Sequence, residues 1–161
     1  MKKVAIMLIS ASVLFSCNEK SENSNTNLKN TETMEKLAKQ EIEELLMTYK
    51  GTLNSSSAEK ATSLYSKDGM FMPTGAPSAI GKEQIKKSYD FVFSQIQLNI
   101  EFYIEEITVE NEFAFAVTSS KGTTLIHATG ATIPEENREL FVFEKEDGVW
   151  KIARYMFNKT K

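Results

Sequence analysis

The chain is poor in the residues that most often carry chemistry. It holds one cysteine, one histidine and one tryptophan in 161 residues, with three prolines and seven glycines. A lone Cys17 excludes an intramolecular disulfide. A lone His127 excludes a histidine-cluster metal site, and no metal or cofactor is expected. There is no phosphate-cradling glycine-rich loop, no dinucleotide fingerprint and no nucleophile elbow. The net charge of −3 leaves no basic patch for nucleic acid. The longest apolar run, residues 4–15, is too short to span a membrane. What remains is an ordinary globular composition, long enough for one domain with one core.

The first residues are of another kind. Lys2 and Lys3 precede the apolar run, and small residues lead to Cys17, which is the pattern of a secretory leader. Leu14-Phe15-Ser16-Cys17 resembles the lipobox of bacterial lipoproteins. That resemblance implies a signal peptide over residues 1–16, cleavage before Cys17 and acyl chains on Cys17, with a palmitate-type lipid holding the protein to a membrane. The implied address is the cell envelope, on a periplasmic or surface face. A plain secretory leader with Cys17 beside the cut is the alternative. In residues 17–33 only Leu28 is apolar after the cysteine, so nothing there can bury a core, and a flexible tether is expected.

The domain is expected over residues 34–161. Ala38, Ile42, Leu45, Leu46, Tyr49 and Leu53 fall at steps of three and four, which predicts a helix over residues 34–53 capped by Thr33. Ser56 and Glu59 form a capping box for a short helix through Tyr65, and Asp68-Gly69 reads as a turn. Residues 70–72 read as a short strand closed by Pro73, and residues 82–96 as a third helix with Ile85, Tyr89, Val92, Phe93 and Ile96 on one side. Strands are expected over residues 98–109, 113–124, 138–144 and 149–158, with Gly130 and Pro134 interrupting the stretch between the second and third. Asp147-Gly148 between two β-rich runs predicts a tight hairpin, with Trp150, Ile152, Arg154 and Met156 on one face of its second arm. Helices first and antiparallel strands after is an α+β pattern, with a strongly twisted sheet curling round a long helix.

At this point the chain resembles the NTF2-like superfamily, in its SnoaL-like or DUF4440-type branch. The matching pieces are the long first helix, residues 61–73, Ile80-Gly81-Lys82-Glu83-Gln84-Ile85, and residues 141–152. The resemblance implies a cone-shaped, cystatin-like fold: a curved, mainly antiparallel sheet wrapped around three N-terminal helices. It also implies a pocket at the open end and dimerisation through the outer sheet face, so the expected partners are a membrane, a small molecule and a second copy of the chain. It does not imply one activity, because the fold hosts isomerases, cyclases, dehydratases and transport factors.

Isomerase-type relatives use a carboxylate base, with a tyrosine and a protonated acid stabilising an enolate. Tyr49 lies on the first helix, where a pocket tyrosine is plausible. No aspartate occurs in the last two strands, so Glu139 is the nearest substitute for the acid. His127 is a candidate base, with Tyr49 or Tyr103 as proton donor. Arg154 would either pair with Glu139 across the hairpin or bind a ligand carboxylate. Tyr65, Met72, Phe93 and Met156 are further candidate lining residues. Glu101, Glu105, Glu106 and Glu110 show no ligand spacing and read as a solvated face. Three functions fit. The first is a membrane-anchored, non-catalytic domain that binds a small apolar or acidic molecule or a protein partner. The second is an isomerase, cyclase or dehydratase acting in the cone. The third is a structural or accessory lipoprotein acting through dimerisation alone.

Overall fold

The computed structural model describes the backbone of residues 20–160 and the side chains of residues 29–160. The leader and the lipidation expected at Cys17 lie outside the described residues. Internal contacts divide the chain into Met1–Thr33 and Met34–Lys161. In chain order the elements are α1 (Lys20–Asn54), α2 (Ala58–Ser63), β1 (Tyr65–Met72), β2 (Ala79–Ile80), α3 (Gly81–Gln95), β3 (Ile96–Glu110), β4 (Phe113–Ile126), β5 (Thr132–Glu146) and β6 (Val149–Lys159).

Helix α1 starts at Lys20 rather than at Met34, and Thr33 does not cap it; the Thr33 hydroxyl bonds back to the Lys29 carbonyl at 2.8 Å. Residues 29–37 are all exposed and burial begins at Ala38. The apolar stripe therefore marks where packing begins, not where the helix begins. From there Ala38, Ile42, Leu46, Tyr49 and Leu53 are buried, as their spacing predicts. Ser56 does not cap α2. It takes a φ of 51° and its hydroxyl meets Gln97 Oε1 at 2.9 Å, while Ser57 holds the N-cap position.

The strands form one sheet in the order β2-β1-β6-β5-β4-β3, antiparallel throughout except that β1 runs parallel to β6. Asp68-Gly69 is not a turn. It lies inside β1, where the pairing with β6 slips between Tyr65 and Met70. Asp147 and Gly148 both take positive φ, 53° and 78°, as the tight hairpin requires. Two further register shifts bend the sheet. One leaves Glu105 unpaired between Ile104 and Glu106 in β3, and the other leaves Ala153 as the extra residue of β6 opposite Val142 and Phe143. At Gly122 a side chain would meet the Asn99 carbonyl oxygen at 2.1 Å, so the β3–β4 approach depends on glycine there.

Alternation then sorts the sheet into two faces. On the inner face Phe102, Ala116, Phe141, Phe143, Ile152 and Tyr155 are buried with α1 and α3 in one apolar cluster. Tyr49 of α1 packs edge-on to Phe141 and Tyr155, with ring centroids 5.6 and 5.4 Å apart. Trp150 is buried towards the hairpin end, with Lys145 Nζ 5.1 Å from its ring. The other face carries Tyr103, Leu140, Arg154 and Met156, all exposed.

Strand β5 begins six residues before the predicted Arg138, passing through Pro134. Glu136 accepts a bond from Thr160 on the β6 side. Pro134, two residues earlier, directs its missing N–H the same way, beyond the end of β6 at Lys159, so the proline interrupts no ladder bond.

Candidate functional site

The longer β5 builds the site. Its period-two alternation sets Glu135, Asn137, Glu139, Phe141 and Phe143 on the inner face, all buried. The three polar residues border a cavity of about 310 Å³, and the two phenylalanines continue into the core. The opposite walls come from Tyr49 and Leu53 of α1, Tyr89 and Phe93 of α3, Phe71 of β1, and Tyr155 and Phe157 of β6. Phe91 borders the same cavity and is 67% exposed. A volume of this order suits a small molecule, since ligand pockets start at about 300 Å³.

The two carboxyl groups on this strip are held differently. Glu139 accepts a 2.5 Å bond from the Thr118 hydroxyl and a longer one, 3.5 Å, from Tyr155. Burial pushes its carboxyl above the ordinary range, and the hydroxyls of Thr118, Ser120 and Tyr155 only partly oppose this. Among the described residues no Lys, Arg or His pairs with it. Glu135 also loses hydration on burial. Bonds from Lys159 (3.0 Å), Asn137 (3.0 Å) and Thr124 (2.9 Å), with the Lys159 charge, more than offset that loss and hold its carboxyl below the usual range. Asn137 Nδ2 also reaches the Ser120 hydroxyl at 3.2 Å, while its Oδ1 has no hydrogen-bond partner among the described residues.

Beneath the strip lies a chain of phenols. The Tyr89 hydroxyl bonds that of Tyr49 and, at 2.8 Å, that of Tyr65. Burial raises the pKa of all four buried tyrosines, with neighbouring phenols adding to this for Tyr49 and Tyr65 and the Glu139 charge for Tyr155. They are neutral hydroxyls at physiological pH.

Of the residues predicted from the sequence, Tyr49, Phe93 and Glu139 border the cavity, and Tyr65 supports it through Tyr89. Arg154, Met72 and Met156 do not; β1 and β6 pair Met70 with Arg154 and Met72 with Met156. Both Arg154 and Met156 are exposed. The cause is the Ala153 bulge, which shifts the alternation so that Ala153 and Tyr155, not Arg154, follow Ile152 inward. Arg154 donates to the backbone carbonyls of Asp68 (3.2 Å) and Ala153 (2.6 Å), not to Glu139. Tyr103 is 52% exposed, on the face opposite buried Phe102. His127 is exposed in the turn after β4, its Nδ1 3.0 Å from the Ser94 carbonyl, and cannot serve the cavity as a base. Sequence reasoning missed Glu135, Asn137 and Lys159. The alternation from residue 135 to 143 could have found the first two, had the strand been carried through Pro134.

Among the described residues no group of His, Cys, Asp and Glu side chains is placed to hold a metal ion. None of their helices is long and apolar enough to cross a membrane.

Comparison with known proteins narrows the setting. The SnoaL-like domain family matches residues 42–157. A ketosteroid isomerase-like protein from Erwinia carotovora atroseptica is 30% identical, with a TM-score of 0.72 over 74% of this chain and 94% of that one. An NTF2-like superfamily protein from Salmonella enterica Typhimurium is 20% identical, with a TM-score of 0.70 over 78% of this chain and 93% of that one. An NTF2-like protein of cystatin-like fold from Novosphingobium aromaticivorans is 18% identical, with a TM-score of 0.61 over 89% and 92%. No curated protein matches.

Proposed function

The chain belongs to the SnoaL-like domain family, and from that premise we propose that it binds a small, mostly apolar molecule in the cavity bordered by β5, β6, α1 and α3. The carrying observation is the cavity itself: about 310 Å³, walled by aromatic rings and closed on one side by the Glu135–Asn137–Glu139 strip. An acidic ligand would need an uncommitted cation, but Arg154 lies on the other face and Lys159, which borders the cavity, is paired with Glu135, so the ligand is neutral or basic. The domain is held to a membrane of the cell envelope through lipid on Cys17, and pairs with a second copy through the outer sheet face, where Leu140 and Met156 are 38% and 40% exposed. A thermal-shift screen of small apolar compounds tests the binding role. A ligand present at about 100 times its Kd adds roughly 2.7 kcal/mol of stability. A screen without a stabilising compound removes the proposal.

A second function is favoured by one observation: two carboxyl groups, four residues apart on one strand face, are driven in opposite directions, Glu139 towards its neutral and Glu135 towards its charged form. Such divergence suits an acid and a base in one pocket. Proton transfer at a carbon beside a carbonyl is the corresponding reaction class. Deuterium exchange into a cyclic ketone in D2O, faster with the wild-type protein than with Glu139→Gln, would establish it. Equal rates would leave binding alone.

A further inference from the structure

We propose that the polar end of the ligand is an ammonium group, seated between Glu139 and Asn137 with its apolar body against the aromatic walls. The proposal rests on the binding role above and names the class of molecule bound.

Three independent features point to a cation. Glu139 is 4% exposed and, among the described residues, has no cationic partner; its bonds come from hydroxyls only. A buried carboxyl without a counter-charge gains most from a ligand that supplies one. Asn137, 6% exposed and bordering the same cavity, has an Oδ1 without a donor among the described residues. Its amide orientation is set by Glu135, since a carboxylate accepts only from Nδ2, so the free atom is an acceptor. The walls also suit a cation. Phe71, Tyr89, Tyr155, Phe93 and Phe157 all border the cavity, and aromatic rings attract a cation that reaches a free part of a face.

The remaining charges around Glu139 do not already satisfy it. On β5 its neighbour Glu135 is also acidic, and on β6 Lys159 is committed to Glu135 at 3.0 Å with half its side chain exposed. The other titratable groups nearby, Tyr155 of β6, Tyr49 of α1 and Tyr89 of α3, are neutral phenols. A carboxylate ligand would face Glu139, and Lys159, which also borders the cavity, is already paired with Glu135. A neutral alcohol would bind through hydrogen bonds alone. A primary ammonium offers three donors, enough for Glu139 Oε1, Asn137 Oδ1 and one further acceptor.

The test uses four compounds of one shape: benzylamine, benzyl alcohol, benzoate and toluene. They are titrated into the purified full chain and into its Glu139→Gln variant by calorimetry at neutral pH. The amine should bind the wild-type protein about tenfold more tightly than the alcohol, as a charge-assisted bond worth about 1.4 kcal/mol more would give. Benzoate should bind most weakly. In Glu139→Gln the amine-to-alcohol ratio should fall to about one, because the neutral amide removes the charge-assisted term. A wild-type preference for alcohol or benzoate overturns the proposal without needing the variant, as does an unchanged ratio in Glu139→Gln. Binding of toluene and alcohol without amine preference sinks the ammonium and leaves the binding role standing. Binding of none of the four removes both.

Discussion

Replacing Tyr89 by phenylalanine tests whether the buried phenols act as one connected unit. The Tyr89 hydroxyl is the middle member, bonded to the hydroxyls of Tyr49 and Tyr65. Removing it breaks both bonds. Tyr49 keeps its contacts with the hydroxyls of Tyr155 and Tyr65, so neither outer phenol is stranded. Each lost bond contributes about 1 kcal/mol, so Tyr89→Phe, which loses two, should cost roughly 2 kcal/mol. Tyr65→Phe removes an end member. Tyr89 then retains Tyr49, and the expected cost is about 1 kcal/mol. Both changes delete one oxygen from a buried ring, so cavity terms nearly cancel in the comparison. Urea unfolding with unchanged m-values reads the difference directly. Equal costs for the two variants, or a Tyr89→Phe cost under about 0.5 kcal/mol, would refute the connected network.

The stability of the protein should depend on pH through the same strip. Folded Glu139 holds its proton more tightly than the unfolded chain does, so its contribution is full below the ordinary carboxyl pKa and is lost as pH rises through its raised value. Glu139→Gln should therefore gain on wild type in denaturant melts as pH rises from acid to neutral; Glu135, held low, works in the other direction, its contribution lost as pH falls through its lowered value. Gly122→Ala should destabilise by about 1–3 kcal/mol or more in the same melts, because the Asn99 carbonyl is backbone and cannot step aside. Phe141→Ala should cost about 3–5 kcal/mol by urea unfolding, since the ring is fully buried. Arg154→Ala should cost under about 1 kcal/mol and leave benzyl alcohol affinity unchanged by calorimetry, because Arg154 is exposed on the outer face.

Long, strongly patterned segments were legible before any coordinates. The stripe of α1 from Ala38, the Asp147-Gly148 hairpin, and the inner set Glu139, Phe141 and Phe143 stand where alternation and spacing place them. The NTF2-like fold and its SnoaL-like branch were legible for the same reason, through the order of those segments. The errors share a physical cause too. Strand parity is a running count, and one inserted residue at Ala153 reverses every assignment after it, which is why Arg154 and Met156 were placed inside. Nothing local marks that bulge. Pro134 hid the start of β5, because a proline forbids a ladder bond only on the side its nitrogen faces, and no strand lies there. Glu135 and Asn137 were lost with it. Lys159, at the last residue of β6, became visible as part of the site only once its partner Glu135 was on the inner face.

The central claim is that small molecules enter between the inner sheet face and the helices. The direct measurement is an amide chemical-shift titration of the full chain with benzyl alcohol. Shifts concentrated at Glu135 to Glu139, Tyr89, Phe93 and Tyr155, and abolished by Ser88→Trp, which fills the cavity from α3, are the predicted result. Shifts centred on Leu140, Arg154 and Met156, or a response in Ser88→Trp equal to wild type, would contradict it.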